Sequence, residues 1–270
     1  MTEWDASDYA RISGLQEAMA GEVLALLDLR AAKRVLDVGC GNGRVTAEIA
    51  ARIPHGLVVG VDSSADMVSF AASHYGPAVR PNLRFEVADA RRLPFREEFD
   101  LVVSQNALHW VCEQDEALRS IRSTLTSDGL AQLRLVPTGE RKSLENVIEE
   151  TRLSSRWIRY FRDFNDPYLH LTPGQYAKLA EQNGWQVQRI HMEDKRWDFK
   201  SRSAFLAFGT VTFVEWTRVI PEAERIEFVS DVLDRYRPIV TDQPGEENTF
   251  KFYQMDVTLT PSQAGVFNPP

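Results

Sequence analysis

The stretch RVLDVGCGNGRVTAEIA, residues 34–50, passes from a β-branched apolar run through three alternating glycines into a helical pattern. RVLDVG reads as a short buried strand, and RVTAEIAARI (44–53) places Val45, Ile49 and Ile53 on one helical face. Between them Gly39, Gly41 and Gly43 form GxGxG, a turn in which the backbone bends sharply and lets a ligand approach without side chains in the way. The glycines alone do not name the ligand. A dinucleotide fingerprint wants its third glycine at position 44, where Arg44 stands, and a phosphate loop wants Gly-Lys-Ser/Thr, which is absent.

Outward from this turn the chain keeps the same rhythm. GLVVGVD (56–62), LRFEVADA (83–90), FDLVVSQNAL (99–108) and GLAQLRLVP (129–137) read as strands, separated by helical patterns at 64–75 and 113–125. Upstream, Leu15, Met19, Val23 and Leu26 mark an amphipathic helix over 14–29. Short apolar strands alternating with helices predict an α/β fold: a doubly wound, mostly parallel sheet covered on both faces. After Pro137 the rhythm breaks. Residues 151–168 are helical in period, with aromatics on one side and arginines on another, and 201–238 are helical again. Alternation resumes at 171–185, where Thr172 is the expected N-cap, Pro173 the first helical residue and Gly184 the stop, and WQVQRIHME (185–193) and TFKFYQMDVTLT (249–260) give two last strands. The expected division is a core of 1–137 with 171–197 and 246–262, a helical cap of 138–170 and 198–245, and a tail of 263–270.

Composition narrows the function. The formal net charge is −8 with a pI near 5.3, whereas proteins that grip phosphate backbones usually carry a basic face, so nucleic acid is disfavoured. MTEWDASDYARISG (1–14) lacks the pattern of a signal peptide, and no apolar run reaches the ~18 residues of a membrane span, so a cytoplasmic location and no membrane partner are expected. Cys40 and Cys112 have neither CxxC spacing nor His-rich companions, so neither a disulfide framework nor a metal site is expected. A monomer acting on a small molecule fits.

The carboxylates discriminate. Asp37 precedes the glycines, Asp62 ends the second strand and Asp89 ends the third, and residues at the carboxyl ends of successive parallel strands converge on the ligand crevice. An aspartate after the second strand suits a ribose diol, Asp37 a cationic group and Asp89 an exocyclic amine. A ligand with ribose, adenine and ammonium but no phosphate matches all three.

VLDVGCGNG, GVDSS followed by Met67, VADARRLPF and FDLVVSQNALHWV together resemble the successive motifs of S-adenosylmethionine-dependent methyltransferases with a Rossmann-like core. The resemblance covers roughly 9–137 and 171–194. It implies a seven-stranded sheet with an antiparallel last strand. It also implies a cofactor set of Asp37, Gly39, Cys40, Gly41, Asp62, Ser63, Met67, Asp89, Ala90, Ser104 and Gln105, with Asp62 on the ribose and Asp89 and Ala90 at the adenine. LHW (108–110) is similar to the loop of small-molecule methyltransferases that act on carboxylic acids, the group of trans-aconitate and juvenile hormone acid methyltransferases. A Pro-Pro-aromatic run, as in enzymes that methylate base amino groups, is absent. By the same resemblance Tyr9 and Gln16 face the substrate, as do Leu108, His109 and Trp110. Trp157 is the substrate candidate in the cap.

An ionised carboxylate is already a nucleophile and needs alignment rather than a base. The expected reaction is therefore O-methylation of a small organic or fatty-type acid. The alternatives are C- or N-methylation of a natural-product or quinone-like molecule with His109 as base, or cofactor binding without catalysis. The stripe of Arg152, Arg156 and Arg159 suits a carboxylate substrate or the phosphopantetheine and acidic face of a carrier protein, and equally a solvated basic face over an aromatic underside; the last is favoured. Phe205, Phe208, Phe213 and Trp216 predict an apolar chamber.

Overall fold

The computed structural model describes residues 14–27, 29 and 32–262. Its seven strands are β1 (Arg34–Val38), β2 (Leu57–Asp62), β3 (Leu83–Val87), β4 (Phe99–Gln105), β5 (Leu125–Leu135), β6 (Trp185–Asp198) and β7 (Thr249–Pro261). They form one sheet in the order β3-β2-β1-β4-β5-β7-β6, parallel except for β7, which runs antiparallel to β5 and β6. The central strands are apolar at nearly every position because both faces are covered. Leu36, Val59, Val102 and Ile121 pack in the core on one face, and Val35, Ile49, Val58 and Leu101 in the core on the other.

Helix α1 (Gly14–Leu26) precedes β1, and α2 (Arg44–Arg52), α3 (Ala65–Tyr75) and α4 (Gln114–Thr124) follow β1, β2 and β4. The Ser64 hydroxyl caps α3 by accepting from the Met67 amide. The predicted start at Thr172 is a full capping box: Gln175 N donates to Thr172 Oγ1, and Thr172 N donates to Gln175 Oε1.

Helix α6 (Pro173–Gln182) packs on the sheet through Tyr176 and Ala180, and the other helices, α5 (Leu144–Arg152), α7 (Arg202–Thr212), α8 (Val214–Thr217) and α9 (Glu222–Val240), build a cap with its own core. Leu144, Ile148, Trp157, Phe161, Phe205, Trp216, Phe228 and Tyr236 share one buried cluster. Beyond the sheet, Lys195–Asp198 of β6 pair with Thr249–Phe252 of β7, and this two-stranded arm carries Phe250 and Phe252 into the cap core, their rings stacked 4.7 Å apart.

The helical period over 151–168 is not a continuous helix. Helix α5 ends at Arg152, and only Ile158–Tyr160 makes a single 3-10 turn. Tertiary contacts outweigh the local period here. Trp157 is fully buried against Phe228, with its Nε1 donating to Asp231 at 2.8 Å. The arginines reach acidic partners instead of forming an open row: Arg152 pairs with Glu149, Arg156 with Asp231 and Glu227, and Arg159 with Glu224. The stripe is thus a set of ion pairs, mostly onto α9, over an aromatic underside.

Candidate active site

Strand order reverses between β1 and β4, and the crevice at such a switch point opens at the carboxyl ends of the strands. The glycine loop lies there. Gly39 and Cys40 amides donate to the Val61 carbonyl at 2.8 and 2.9 Å, tying the loop to β2. Gly39 has φ +77°, and a Cβ built on it would sit 2.1 Å from the Ala107 Cβ. Gly41, φ +52°, faces open space instead; its amide donates to Asp62 Oδ2 at 2.9 Å, while the Ser64 amide donates to Oδ1 at 2.9 Å. Asp62 therefore holds the loop to the start of α3 while presenting its carboxylate to the crevice.

A cavity of about 610 Å³ runs from this loop to the cap. Its loop half is walled by Asp37, Gly39, Cys40, Gly41, Asp62, Ser63, Met67, Asp89, Ala90 and Gln105. Asp37 is buried; Thr46 Oγ1 donates to Oδ2 at 2.7 Å, and Oδ1 has no partner. Burial, with the Asp62 charge adding to it, pushes this carboxyl up to about 7. The Gln105 Oε1 is likewise buried and unpartnered. Asp89 caps the 3-10 turn Ala90–Arg92 and is gripped by the Arg91 guanidinium, with Nη2 at 2.6 Å, which holds its carboxyl below the ordinary value.

The cap half is aromatic and aliphatic: Leu15, Met19, Leu108, Trp110, Ile148, Tyr168, Phe208, Phe213, Trp216, Phe250 and Phe252 all line it. Trp110 stands edge-on to Tyr168 (5.1 Å) and Trp216 (5.8 Å). His109 is buried between β4 and the cap. Burial pushes its imidazole down to about 3, so the ring is neutral across the physiological range. Its Nδ1 accepts from the Val136 amide at 3.4 Å, which places the ring proton on Nε2.

The residues expected in the site thus converge, with three exceptions. Ser104 points away: its hydroxyl donates to the Val38 carbonyl at 2.7 Å, because side chains alternate along β4 and Gln105 takes the cavity side. Trp157 belongs to the cap core and Phe205 lies behind the wall. Tyr9 and the Gln16 side chain lie outside the described residues. Sequence reading missed Tyr168, Glu145 and Glu215, which also line the cavity. The turn residues Asn165, Asp166 and Pro167 before Tyr168 were the one available signal that the helix could not run through it.

In the loop half two buried acceptors, Asp37 Oδ1 and Gln105 Oε1, lack donors, and the space over Gly41 is open. An ammonium-bearing nucleoside fits those acceptors, and the Asp62 carboxylate, held by the Gly41 and Ser64 amides, lines the same space. The fold and the site define an enzyme that uses S-adenosylmethionine to methylate its substrate.

The methyltransferase domain family matches residues 35–129. The trans-aconitate 2-methyltransferase of Streptomyces avermitilis is 30% identical over 199 residues, 70% of this chain and 73% of that protein. That of Deinococcus radiodurans is 28% identical over 258 residues, 92% of this chain and 95% of that protein. Phosphoethanolamine N-methyltransferase 2 of Haemonchus contortus, solved with S-adenosyl-L-methionine, shares the fold at a TM-score of 0.61 and 17% identity, covering 96% of this chain and 57% of that one. The chain belongs to the family of S-adenosylmethionine-dependent methyltransferases that includes the trans-aconitate 2-methyltransferases. Among the described residues no helix is long and apolar enough to cross a membrane.

Proposed function

We propose that the enzyme O-methylates the carboxylate of a small organic or fatty-type acid. The observation that carries this reading is the state of His109. Its Nδ1 lone pair faces the Val136 amide and its Nε2 bears the proton, so the ring offers a donor to an acceptor oxygen and no free base. A hydroxyl, amine or carbon acid must lose a proton, which a positioned base accelerates by ~10²- to 10⁴-fold. A carboxylate has none to lose.

Bound in the loop half, S-adenosylmethionine supplies a methyl group already activated on a sulfonium. The chain's own residues do the rest. The Gly39–Gly41 loop and Asp62 fix one end of the crevice, and Asp37 and Gln105 present acceptors. His109 Nε2–H orients the acceptor oxygen at the end of β4, and Trp110, Tyr168, Phe213 and Trp216 enclose the apolar body and exclude water. The continuity of the two halves in one cavity supports catalysis over mere cofactor binding.

The test is a panel of acids, amines and phenols read by homocysteine-nucleoside release, with His109→Gln beside the native enzyme. Acids are the expected substrates. With them, at saturating S-adenosylmethionine, which keeps Asp37 ionised, kcat/KM for the acid shows no ionisation of a base between pH 6 and 9, and His109→Gln, which keeps an N–H donor, stays within about tenfold. Turnover confined to amines or phenols, together with a loss of ~10³-fold or more in the folded variant, would overturn the reading in favour of base catalysis.

A further inference from the structure

The cap half of the cavity contains a carboxylate that the reaction does not use. Glu215 sits on α8, a single helical turn fixed on both sides. The next residue, Trp216, donates from Nε1 to Glu149 Oε1 at 2.7 Å on α5, and Phe213 is buried before it. Glu215 is only 3% exposed and lines the cavity. One oxygen, Oε2, receives Arg218 Nη2 at 2.8 Å, one helical turn away, and the other, Oε1, is buried without any partner.

A buried carboxylate oxygen without a donor is costly, and more so for a charged group than for a neutral one. Of the aromatic residues that line this half, Phe208 and Phe213 have no donor, and the Trp216 indole N–H is committed to Glu149. Of the three guanidinium groups that line the cavity among the described residues, Arg44 belongs to the glycine-loop half at the start of α2, Arg91 is held by Asp89 and Glu113, and Arg218, in the cap half, is held by this same glutamate. A second carboxyl, Glu145, lines the same half, raised above its ordinary value by burial. The chamber thus offers the orphaned Glu215 Oε1 and, also in the lining, the unpartnered Tyr168 hydroxyl, together with two acidic walls. An acceptor molecule carrying two or three carboxylates would meet both walls with like charge.

We propose that Glu215 Oε1 is a specificity site that receives a hydrogen-bond donor, a hydroxyl or an ammonium, at the end of the substrate remote from the methylated carboxylate. This rests on the carboxyl-methylation reading above and narrows it. The acceptor is a monocarboxylate with an apolar body and one donor group, and polycarboxylates are rejected despite the family resemblance. A site built to pair a substrate donor discriminates strongly against the analogue that lacks it, because the buried acceptor is then left empty-handed.

The experiment compares straight-chain acids of six to twelve carbons with their ω-hydroxy and ω-amino counterparts, and with trans-aconitate, on the native enzyme and on Glu215→Gln. In the native enzyme at least one donor-bearing series exceeds the plain acid of equal length by about ten- to a hundredfold in kcat/KM, and trans-aconitate falls below both. Glu215→Gln reduces the preference for ω-amino acids to near unity and weakens that for ω-hydroxy acids, which separates the ammonium from the hydroxyl as the natural donor. Plain acids turned over as well as both substituted series by the native enzyme would overturn the proposal without touching carboxyl methylation, and needs no variant to fold. A preference that survives Glu215→Gln unchanged, or trans-aconitate as the best substrate, would overturn it also. If no acid of any kind is methylated while amines or phenols are, the carboxyl reading itself fails.

Discussion

Replacing Asp37 by Asn tests the electrostatics of the loop half directly. The folded carboxyl ionises near 7, against 3.8 for an unperturbed aspartate. That difference corresponds to ~4 kcal/mol at 1.36 kcal/mol per pH unit. The sign follows from linkage. Below pH 3.8 both states are protonated and there is no penalty; between 3.8 and 7 folding must take up a proton, so stability falls as pH rises; above 7 the full penalty applies. Asparagine is neutral throughout and still offers an oxygen to Thr46. The stability of Asp37→Asn relative to the native protein therefore grows by ~2 to 3 kcal/mol between pH 5 and pH 8, or ~5 to 10 °C in Tm. Thermal unfolding across that range reads it. At pH 8 the same variant binds S-adenosylmethionine more weakly, and in the native protein binding below pH 7 releases a proton, visible by calorimetry in buffers of different ionisation enthalpy. A stability difference that stays constant from pH 5 to pH 8 would refute the reasoning, because it would mean that Asp37 does not ionise late.

Other substitutions probe the frame around it. Asp62→Ala removes the acceptor of the Gly41 and Ser64 amides and, with Asp62 proposed to hold the ribose, lowers cofactor affinity by ~1.5 to 3 kcal/mol, about ten- to a hundredfold, by calorimetric titration; unchanged affinity would remove Asp62 from the site. Gly39→Ala drives a methyl into Ala107 from a left-handed backbone and lowers Tm by several degrees, with cofactor binding falling in parallel. Arg156→Ala breaks exposed pairs to Glu227 and Asp231, costs ~0 to 1 kcal/mol, and leaves kcat/KM for small acids within a factor of two; a selective loss with carrier-bound acids would revive a docking role for that face.

Much of the cofactor half was legible because it is local. A strand, a glycine turn and a helix follow one another in residues 34–52, and the aspartates that converge on the crevice each end a recognisable strand. Thr172, Pro173 and Gly184 announced α6 through backbone chemistry that needs no tertiary partner. The cap resisted for the opposite reason. Trp157 and the arginines beside it share a helical period, yet Asp231, 74 residues later, decides where the tryptophan goes. Ser104 was one residue from the right position, and strand alternation turned it onto the Val38 carbonyl. Glu215 carries no motif; only the fold brings an acidic residue of a one-turn helix into an aromatic wall.

The place of β7 has a consequence for how the molecule assembles. It follows β6 in the chain but lies between β5 and β6 in the sheet, and its far end is also a wall of the acceptor chamber through Phe250 and Phe252. During synthesis the five strands β1 to β5, with the glycine loop, are complete long before either β6 or the chamber has a neighbour to pack on. Strand β6 finds its ladder partner only in residues 249–261, and the cap core receives Phe250 and Phe252 from the same segment. Loss of that one segment would leave β6 without its partner in the sheet and take Phe250 and Phe252 out of the chamber wall, so one stretch of chain closes both the sheet's edge and the cavity.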